Sequence, residues 1–404
     1  MDFARSAHAG VQAQLDRLPA LSAPGDHLGL ERITAMLGRL GRPQDRLPPV
    51  FHVAGTNGKG STVAFLRAAL EAAGHSVHAY TSPHLVRFNE RIRIAGRLVD
   101  DEALAALLSE TIDVAGGLEP SFFEVATASA LLAFARTPAD AVILEVGLGG
   151  RLDATNVIDR PLVTGIASIG LDHQQYLGDT LSLIAAEKAG IAKRDVPLVS
   201  LAQPADAEAA IARITADIAA PLLLEGRDWT FDPGLVPALP GPHQLRNANL
   251  AWAMLEAQDV IPVRREQFLA GLQSTRWPAR FQKLAPGPIG DTPTWIDGAH
   301  NGDAAEALAA TLAGCEPMHL IVGILANKSA DAIVAPLRKL ALSLTFVPVG
   351  DHAHHDPAEL VSRFGGTAAA SLGSALDRTP GPRLVAGSLY LAGQLLALNR
   401  ELPD

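Results

Sequence analysis

The chain has 404 residues, of which 48% are hydrophobic and 19% charged, so it has enough apolar material for two packed domains. Its formal net charge of −10, without a stripe of lysine and arginine, argues against nucleic acid as a partner. No apolar run approaches the roughly 18 residues of a membrane span, the N-terminal segment lacks the apolar core of a signal peptide, and the single cysteine, Cys315, excludes an intrachain disulfide. We therefore expect a cytoplasmic protein without membrane or nucleic-acid partners.

Strands and helices alternate in the first part of the chain. Short apolar runs predict buried strands at 49–55, 76–82, 140–147 and 162–169, and helical periodicity predicts helices at 60–74, 100–116, 122–136 and 181–192. Proline and glycine crowd the tract 221–246, which predicts loop and short strands, and helices follow at 245–258 and 264–273. Such alternation is typical of an α/β fold with a mostly parallel sheet covered on both faces.

A second α/β domain follows a segment rich in proline and glycine at 276–293. We place the boundary between residues 278 and 279. Beyond it, predicted strands at 293–299, 318–324, 343–350 and 382–388 alternate with predicted helices at 302–314, 329–340 and 389–399. The sequence therefore predicts domains at 1–278 and 279–404, the second being the smaller.

The stretch HVAGTNGKGSTVAFL, residues 52–66, lies between a predicted strand and a predicted helix and resembles a phosphate-binding loop. The residues that would face phosphate are Gly55, Thr56, Asn57, Gly58, Lys59, Gly60 and Ser61. Gly60 follows Lys59 where the usual loop has the serine or threonine that binds Mg²⁺. The plainer alternative is a glycine-rich turn with an incidental lysine. If the loop does bind ATP, a ligand for the metal must come from elsewhere.

Polar residues end two further predicted strands. Ser82 ends the second strand, and Glu145 ends the third after a long apolar run. Open parallel sheets bind ligands at this edge, and a carboxylate there is costly unless it is paired or binds metal. The alternatives are a Ser-Pro turn before a solvated, charged hairpin at 87–93, and a salt bridge from Glu145 to Arg151.

The same pattern recurs with Asp172 and His173 after the fourth strand, and with Asp297 and His300 in the second domain. Lys188 lies on the helix that follows the His173 loop. Each has a plainer interpretation. A lone histidine is usually structural, a helical lysine beside Glu187 is usually exposed, and Asp-Gly alone is a turn signal.

Seven motifs occur in order: GTNGKGS, TSPHLVRFNERI, EVGLGGRLDATN, LDHQQYLGDT, EKAGIAK, RNANLA and DGAHN. Together they resemble the folylpolyglutamate synthase/dihydrofolate synthase family of the wider Mur-ligase superfamily, from about residue 28 to 391. Mur peptide ligases share the G-T-N-G-K core, but Gly60-Ser61, TSPHL and DGAHN favour the folate branch. The resemblance implies a P-loop-type sheet domain followed by a Rossmann-like domain.

The resemblance also implies the ligands of ATP and metal. Ser82, Glu145 and His173 match family residues that bind Mg²⁺, and Lys188 matches a lysine that CO₂ converts to a carbamate, which helps to bind a second Mg²⁺. Candidate catalytic residues are accordingly Lys59, His173 and Lys188. Outside the loop, the residues expected to contact ATP are Asn249, Arg280, Asp297 and His300. Departures from the family pattern at Asn327, Ser329 and 352–357 leave the details of the second domain open.

For the pterin, the resemblance implies a set of contacts in the first domain. They are Leu28, Gly29 and Leu30 in the segment DHLGLERI at 26–33, Phe122 and Phe123 in PSFFEVAT, and Asp153 and Ala154 in RLDATN. The rings could stack on the pterin, and Asp153 could accept from its amino edge. The leucines and phenylalanines could equally serve only to pack.

The expected activity is an ATP-dependent ligase that adds L-glutamate to dihydropteroate and to reduced folates through an acyl phosphate. Two Mg²⁺ ions and the carbamylated lysine would assist, and we expect a monomer. Alternatives are a folylpolyglutamate synthase only, a Mur-type peptide ligase, or a regulatory ATPase in which ATP switches a binding surface.

Overall fold

The computed structural model describes residues 5–21 and 28–404. The chain forms two compact units: the first comprises residues up to Pro237 and Leu245–Thr275, and the second comprises Ala238–Gln244 and Arg276–Asp404. The division thus falls just before the predicted boundary of 278/279. Residues Ala238–Gln244 were predicted in the first domain but belong to the second unit, because Gly241 packs so closely on Thr311 that a Cβ would lie 2.4 Å from its Oγ1.

Within the described residues, the first unit begins with three helices and continues as alternating strands and helices. Its elements are α1 (Ala9–Leu15), α2 (Leu18–Leu21), α3 (Glu31–Arg39), β1 (Val50–Ala54), α4 (Lys59–Ala72), β2 (Val77–Tyr80), β3 (Ile92–Ile94), β4 (Arg97–Leu98), α5 (Asp101–Val114), α6 (Phe122–Arg136), β5 (Ala141–Glu145), β6 (Val163–Ile166), α7 (Gln174–Leu177), α8 (Leu181–Ala189), β7 (Leu198–Ser200), α9 (Ala205–Ile218), β8 (Leu222–Leu224), α10 (Pro242–Glu256) and α11 (Arg265–Ser274). Short 3₁₀ turns lie at Pro43–Arg46, Phe88–Arg91 and Ala154–Val157.

The eight strands described in the first unit form one sheet in the order β4-β3-β2-β5-β1-β6-β7-β8. Six neighbouring strands, β2, β5, β1, β6, β7 and β8, are parallel. At one edge β3 pairs antiparallel with β2, and β4 pairs antiparallel with β3. In the central strands Val53 lies beside Glu145, and Ala54 lies beside Ile166. The loops that follow β1, β5 and β6 therefore leave the sheet at the same edge, where a ligand of an open parallel sheet is expected.

The second unit is a smaller α/β structure. Its elements are β9 (Gln282–Lys283), β10 (Thr294–Ile296), α12 (Gly302–Leu312), β11 (Met318–Val322), α13 (Ala330–Arg338), β12 (Ala341–Phe346), α14 (Pro357–Phe364), β13 (Thr367–Ala368), α15 (Leu372–Arg378), β14 (Arg383–Ala386) and α16 (Leu389–Asn399). The strands form a sheet in the order β13-β12-β11-β14-β10-β9, parallel except for β9. Two mostly parallel α/β sheets confirm the predicted fold class.

The central strands could be predicted from the sequence because they are buried along their whole length. All five residues of β1 and of β5 are buried, as are all four of β2 and of β6. A strand covered on both faces reads as a continuous apolar run. Across the described helices, none has the length and apolar character needed to cross a bilayer.

Candidate active site

The loop after β1 that resembles a phosphate-binding loop, residues 55–61, is called here the phosphate-type loop. It is hydrogen-bonded to the loop after β6. The backbone N–H groups of Thr56 and Asn57 both donate to the carbonyl of Ser168, at 2.8 and 3.3 Å. The Thr56 hydroxyl donates to the Gly170 carbonyl at 3.0 Å and accepts from the Gly170 N–H at 3.1 Å. The β6 loop leads to Asp172 and His173, so the two predicted ligand-binding loops are joined at their bases.

Gly58 begins α4 in the left-handed region, with φ of +88°. A Cβ at this position would lie 2.3 Å from Oδ1 of Asn247 in α10. Both the backbone conformation and the close approach therefore require glycine. The approach also places the Asn247 side chain on the phosphate-type loop.

The predicted ATP contact in α10 was Asn249, but the asparagine whose side chain lies against the phosphate-type loop is Asn247. Asn249 is buried, accepts from the Asp232 N–H at 2.7 Å, and donates to the carbonyls of Asp232 and Leu245 at 3.1 and 2.9 Å. Each residue of an α-helix is rotated by about 100° from the one before, so residues two apart point to nearly opposite sides of the helix. Only one of the two asparagines can face the loop, and it is Asn247.

Two lysines converge on one carbonyl oxygen. Lys59 Nζ donates to the Gly55 carbonyl at 3.0 Å and to that of Thr56 at 3.2 Å, and Lys188 Nζ donates to the same Gly55 carbonyl at 3.0 Å. Burial, with a further contribution from the charge of Lys59, lowers the pKa of Lys188 to about 7. A substantial neutral fraction near pH 7 makes this amine a nucleophile, as carbamate formation requires.

The plainer interpretations of Lys188 and Glu145 are both wrong. Lys188 is buried instead of exposed, and Glu187 pairs with Arg151 at 2.8 Å. Glu145 is also buried, and its Oε2 accepts from the Ser82 N–H at 3.2 Å. The structure thus brings together Ser82 and Glu145, two of the predicted metal ligands.

The third predicted metal ligand, His173, is exposed and begins the short helix α7 with φ of +52°. In the described part of the chain, no group of three or more histidine, cysteine, aspartate or glutamate side chains is assembled to hold a metal. Ser82 and Glu145 offer the oxygen donors that suit Mg²⁺, which commonly takes one or two carboxylates and completes its shell with water and phosphate. The hydroxyl of Ser61, in the first turn of α4, is buried and has no hydrogen-bond partner among the described residues, so its oxygen is a further candidate metal ligand.

The turn after β5 is organised by Asp153. Its Oδ2 accepts from the N–H groups of Gly147 and Leu148 at 3.0 and 2.8 Å, and its Oδ1 accepts from the N–H and hydroxyl of Thr155 at 2.9 and 2.5 Å. Burial raises the pKa of Asp153, and these hydrogen bonds oppose the rise. Both oxygens of the predicted pterin contact are therefore engaged within the chain. Ala154, also in the predicted set, is buried in the following 3₁₀ turn.

Phe122 and Phe123 begin α6, whose N-terminus is closed by a capping box between Ser121 and Glu124. Phe123 is 5.8 Å from the Tyr80 ring and fills the space beside Gly147, where a Cβ would lie 2.3 Å from its Cζ. Phe122 packs edge-on against Phe88 at 5.6 Å. Both rings are half-buried, so each packs and still exposes part of its surface.

The charged segment after Ser82 is not the solvated edge considered from the sequence. The Glu90 carboxylate accepts from three consecutive N–H groups, those of Leu85, Val86 and Arg87, at 2.7, 2.9 and 2.6 Å. Arg91 is fully buried, and its guanidinium lies 5.2 Å from the centre of the Phe122 ring. These side chains hold the loop that carries Ser82.

Leu28, Gly29 and Leu30 precede α3, and residues 26–27 of the same predicted segment lie outside the described residues. Leu28 is exposed, and Gly29 and Leu30 are half-buried. Arg32 of α3 donates from Nε to Glu124 Oε2 at 3.1 Å, which ties the start of α3 to the start of α6. The predicted pterin residues at 28–30 and 122–123 therefore lie on elements that are directly connected.

The second unit gathers its predicted ATP residues at the end of β10. Asp297 accepts from the N–H groups of Phe281 and Ala299, both at 2.8 Å, and burial raises its pKa while the charge of Arg280 opposes the rise. The His300 ring bonds through Nδ1 to the Gly298 carbonyl at 3.0 Å. His243, which the sequence analysis missed, lies near Arg280, and burial followed by the Arg280 charge lowers its pKa to about 4.

The departures from the family pattern lie on two loops that contact one another. The Ala326 N–H donates to the Ala353 carbonyl at 3.0 Å, and the His355 ring bonds through Nε2 to the Lys328 carbonyl at 2.8 Å. Ser329 caps α13. The residues that depart from the family pattern therefore lie on two loops of the second unit that are joined by hydrogen bonds.

The known proteins that this chain resembles in sequence and in structure carry the names of one family. The dihydrofolate synthase/folylpolyglutamate synthase of Bacillus subtilis is 38% identical over 70% of this chain and 72% of its own, and the folylpolyglutamate synthase of Lacticaseibacillus casei is 34% identical over 94% and 96%. Escherichia coli FolC in complex with DHPP and ADP superposes with a TM-score of 0.87, at 31% identity over 98% of each chain. The bifunctional enzyme from Yersinia pestis, complexed with AMPPNP and Mn ion, gives 0.87 at 32% identity over 97% and 98%. No protein-family model matches the chain.

Two α/β units with a glycine-rich phosphate-type loop at the carboxyl edge of a parallel sheet, and these structural neighbours, define an ATP-dependent ligase with the two-domain Mur-ligase-like fold. The chain belongs to the dihydrofolate synthase/folylpolyglutamate synthase family. The resemblance inferred from the seven motifs is thereby confirmed.

Proposed function

We propose that the protein ligates L-glutamate to dihydropteroate and to reduced folates, with ATP as co-substrate, in the cytoplasm and as a monomer. The observation that carries this proposal is the pair Lys59 and Lys188 on the Gly55 carbonyl, beside the contact between Ser82 and Glu145. The relatives named for both activities, and the neighbours with bound nucleotide, DHPP and Mn ion, support it.

In the first step the acceptor carboxylate attacks the γ-phosphate, which forms an acyl phosphate and releases ADP. The loop 55–61 and Lys59 hold the phosphates, because glycine N–H groups at a helix start and an ammonium group favour negative charge. Asn247, in place of Asn249, touches the same loop. Arg280, Asp297 and His300 are the candidate nucleotide ligands of the second unit.

Ser82, Glu145 and His173 are the residues that would hold Mg²⁺, with a carbamate on Lys188 for a second ion. Bound magnesium would neutralise charge that develops on the transferring phosphoryl group. The lowered pKa of Lys188 supports the carbamate, since CO₂ reacts with a neutral amine.

In the second step the glutamate amine attacks the acyl carbon. Phosphate leaves, and the nitrogen loses a proton to give the amide. The protein's own contribution is position, because two bound reactants react as if at very high local concentration.

For the acceptor we propose that the half-buried rings of Phe122 and Phe123 and the segment 28–30 contact the pterin. Asp153 and Ala154 form the turn beside Phe123. Since each oxygen of Asp153 already accepts two hydrogen bonds, we assign its carboxylate to shaping that turn.

The test is product analysis by mass spectrometry. Purified protein receives ATP, Mg²⁺ and glutamate with dihydropteroate, with tetrahydrofolate, or with a nucleotide-linked peptide as the Mur-type acceptor, and Lys59→Ala serves as the inactive control. Amide from both folate-type acids supports the proposal, and amide from tetrahydrofolate alone leaves a folylpolyglutamate synthase. Phosphate release that needs neither acid nor glutamate would favour the regulatory ATPase.

A further inference from the structure

A buried polar chain runs from the central strand β1 to the turn after β5. His52 in β1 is fully buried, and its Nε2 lies 2.8 Å from the hydroxyl of Thr155, which is also fully buried. The Thr155 hydroxyl donates its one proton to Asp153 Oδ1 at 2.5 Å, so the bond from His52 is an N–H donation. Burial, with the charge of Lys193, lowers the pKa of His52 to about 3 and keeps the ring neutral.

The carboxylate at the end of this chain fixes the path of the turn that follows Glu145. Through its second oxygen, Asp153 accepts the N–H groups of Gly147 and Leu148. Thr155 and His52 occupy the other side of the carboxylate. The terminal torsion of an aspartate has no sharp intrinsic preference, so its orientation is set by its hydrogen-bond partners. Besides the three backbone N–H groups, the Thr155 hydroxyl, which His52 holds in place, is the side-chain donor that fixes Oδ1.

The same turn lies directly on the backbone of the Lys188 helix. The Arg151 N–H donates to the Glu187 carbonyl at 2.8 Å. A Cβ on Gly150 would lie 2.7 Å from the Glu187 oxygen and 2.8 Å from the Lys188 oxygen. Asn156 adds two donations, to the carbonyls of Arg151 and Gly190, each at 3.0 Å. A shift of the turn would therefore move the end of α8 from which Lys188 reaches the Gly55 carbonyl.

We propose that His52 and Thr155 are positioning residues for turnover, which hold Asp153 and through it the turn that seats Lys188. On this proposal the chain from His52 to Asp153 serves the phosphate end of the reaction and is indifferent to which acid is bound. The inference rests on the proposed ligase function, and it assigns a role to two buried polar residues that touch no expected substrate.

The central experiment compares Thr155→Val with Thr155→Ser. Valine keeps the shape of the side chain and loses the hydroxyl, whereas serine keeps the hydroxyl. We expect kcat of Thr155→Val to fall by about 10- to 100-fold, the usual effect of removing a group that orients a functional side chain. The fall should be similar with dihydropteroate and with tetrahydrofolate, KM for either acid should change little, and Thr155→Ser should recover most of the rate.

A matched control separates this effect from the general loss of a buried hydroxyl. Thr215 is buried in α9, where its hydroxyl donates to the carbonyls of Ile211 and Ala212, each at 3.0 Å. Thr215→Val should lower the unfolding midpoint and leave kcat unchanged. His52→Gln, which retains an N–H near the position of Nε2, should keep more activity than His52→Leu, and this pair tests the proposal independently if Thr155→Val does not fold.

The outcomes are distinct from those of the proposed function. If the parent protein ligates neither acid, the proposed function fails. If the parent is active and folded Thr155→Val has the parental kcat, or raises KM for dihydropteroate alone, the positioning role is refuted. Equal activities of His52→Gln and His52→Leu would likewise refute the part assigned to His52.

Discussion

Replacing Lys188 by methionine should stabilise the protein near neutral pH while removing its ligase activity. Burial and the charge of Lys59 lower the pKa of Lys188 from an ordinary 10.5 to about 7. Each pKa unit corresponds to about 1.36 kcal/mol, so keeping this amine charged in the folded protein costs about 5 kcal/mol. Methionine is unbranched, of similar length and uncharged, and it adapts to irregular buried space.

The sign of the pH dependence follows from the direction of the shift. Between about pH 7 and pH 10.5 the unfolded chain keeps the proton and the folded protein has lost it, so the stability of the parent rises with pH over this window. The advantage of Lys188→Met should be largest at pH 6 and should shrink by about 1.4 kcal/mol for each pH unit above 7.

Urea unfolding followed by circular dichroism at pH 6, 7.5 and 9 would measure the difference. Buffers should be free of CO₂, since a carbamate would change the charge of the side chain. Lys339, which is exposed at the end of α13, provides the control variant Lys339→Met. A difference between parent and Lys188→Met that does not vary with pH, or a variant less stable than the parent at pH 6, would refute the reasoning.

Three further predictions concern the phosphate and metal residues. Lys59→Ala should abolish ligation in a folded protein, and a fully active variant would remove the loop from the mechanism. Glu145→Gln and His173→Ala should each require more Mg²⁺ for half-maximal rate, and titrations that overlay the parent would place the metal elsewhere. Asn247→Ala should raise KM for ATP, whereas Asn249→Ala should lower the free energy of unfolding by about 1–3 kcal/mol, because its buried backbone partners are left unpaired, and should leave KM for ATP unchanged. The opposite pattern, measured by kinetics and urea unfolding, would restore Asn249 as the ATP contact.

The fold could be predicted wherever burial leaves a strong pattern. Strands β1 and β5 are buried along their whole length and were visible as apolar runs. Strand β7 has three residues, too few to show a period, and it was missed, whereas the three-residue β8 lies in the tract 221–246 for which short strands were predicted. Helix α9 between them was missed as well, although its alanine-rich sequence favours a helix.

The positions of candidate site residues could be predicted where the order of parallel strands alone determines which residues lie together. Glu145 and the loop after β1 were correctly placed at one edge, because parallel neighbours end together. The choice between Asn247 and Asn249 depends on which side of α10 faces the loop, and the sequence of the motif does not show which side that is. Asp153 did carry a local signal: an aspartate two residues before a threonine commonly caps a turn through its own side chain.

The shared carbonyl of Gly55 has an evolutionary consequence. Lys59 and Lys188 bond the same oxygen, and the charge of the first is one cause of the lowered pKa of the second. Substitutions at contacting residues generally do not add. Loss of Lys59 in a lineage would raise the pKa of Lys188, and the amine of Lys188 would then be a poorer nucleophile near neutral pH. Loss of Lys188 would leave the Gly55 carbonyl to Lys59 alone. The two positions are therefore epistatic, and neither lysine can drift without changing the selective value of the other.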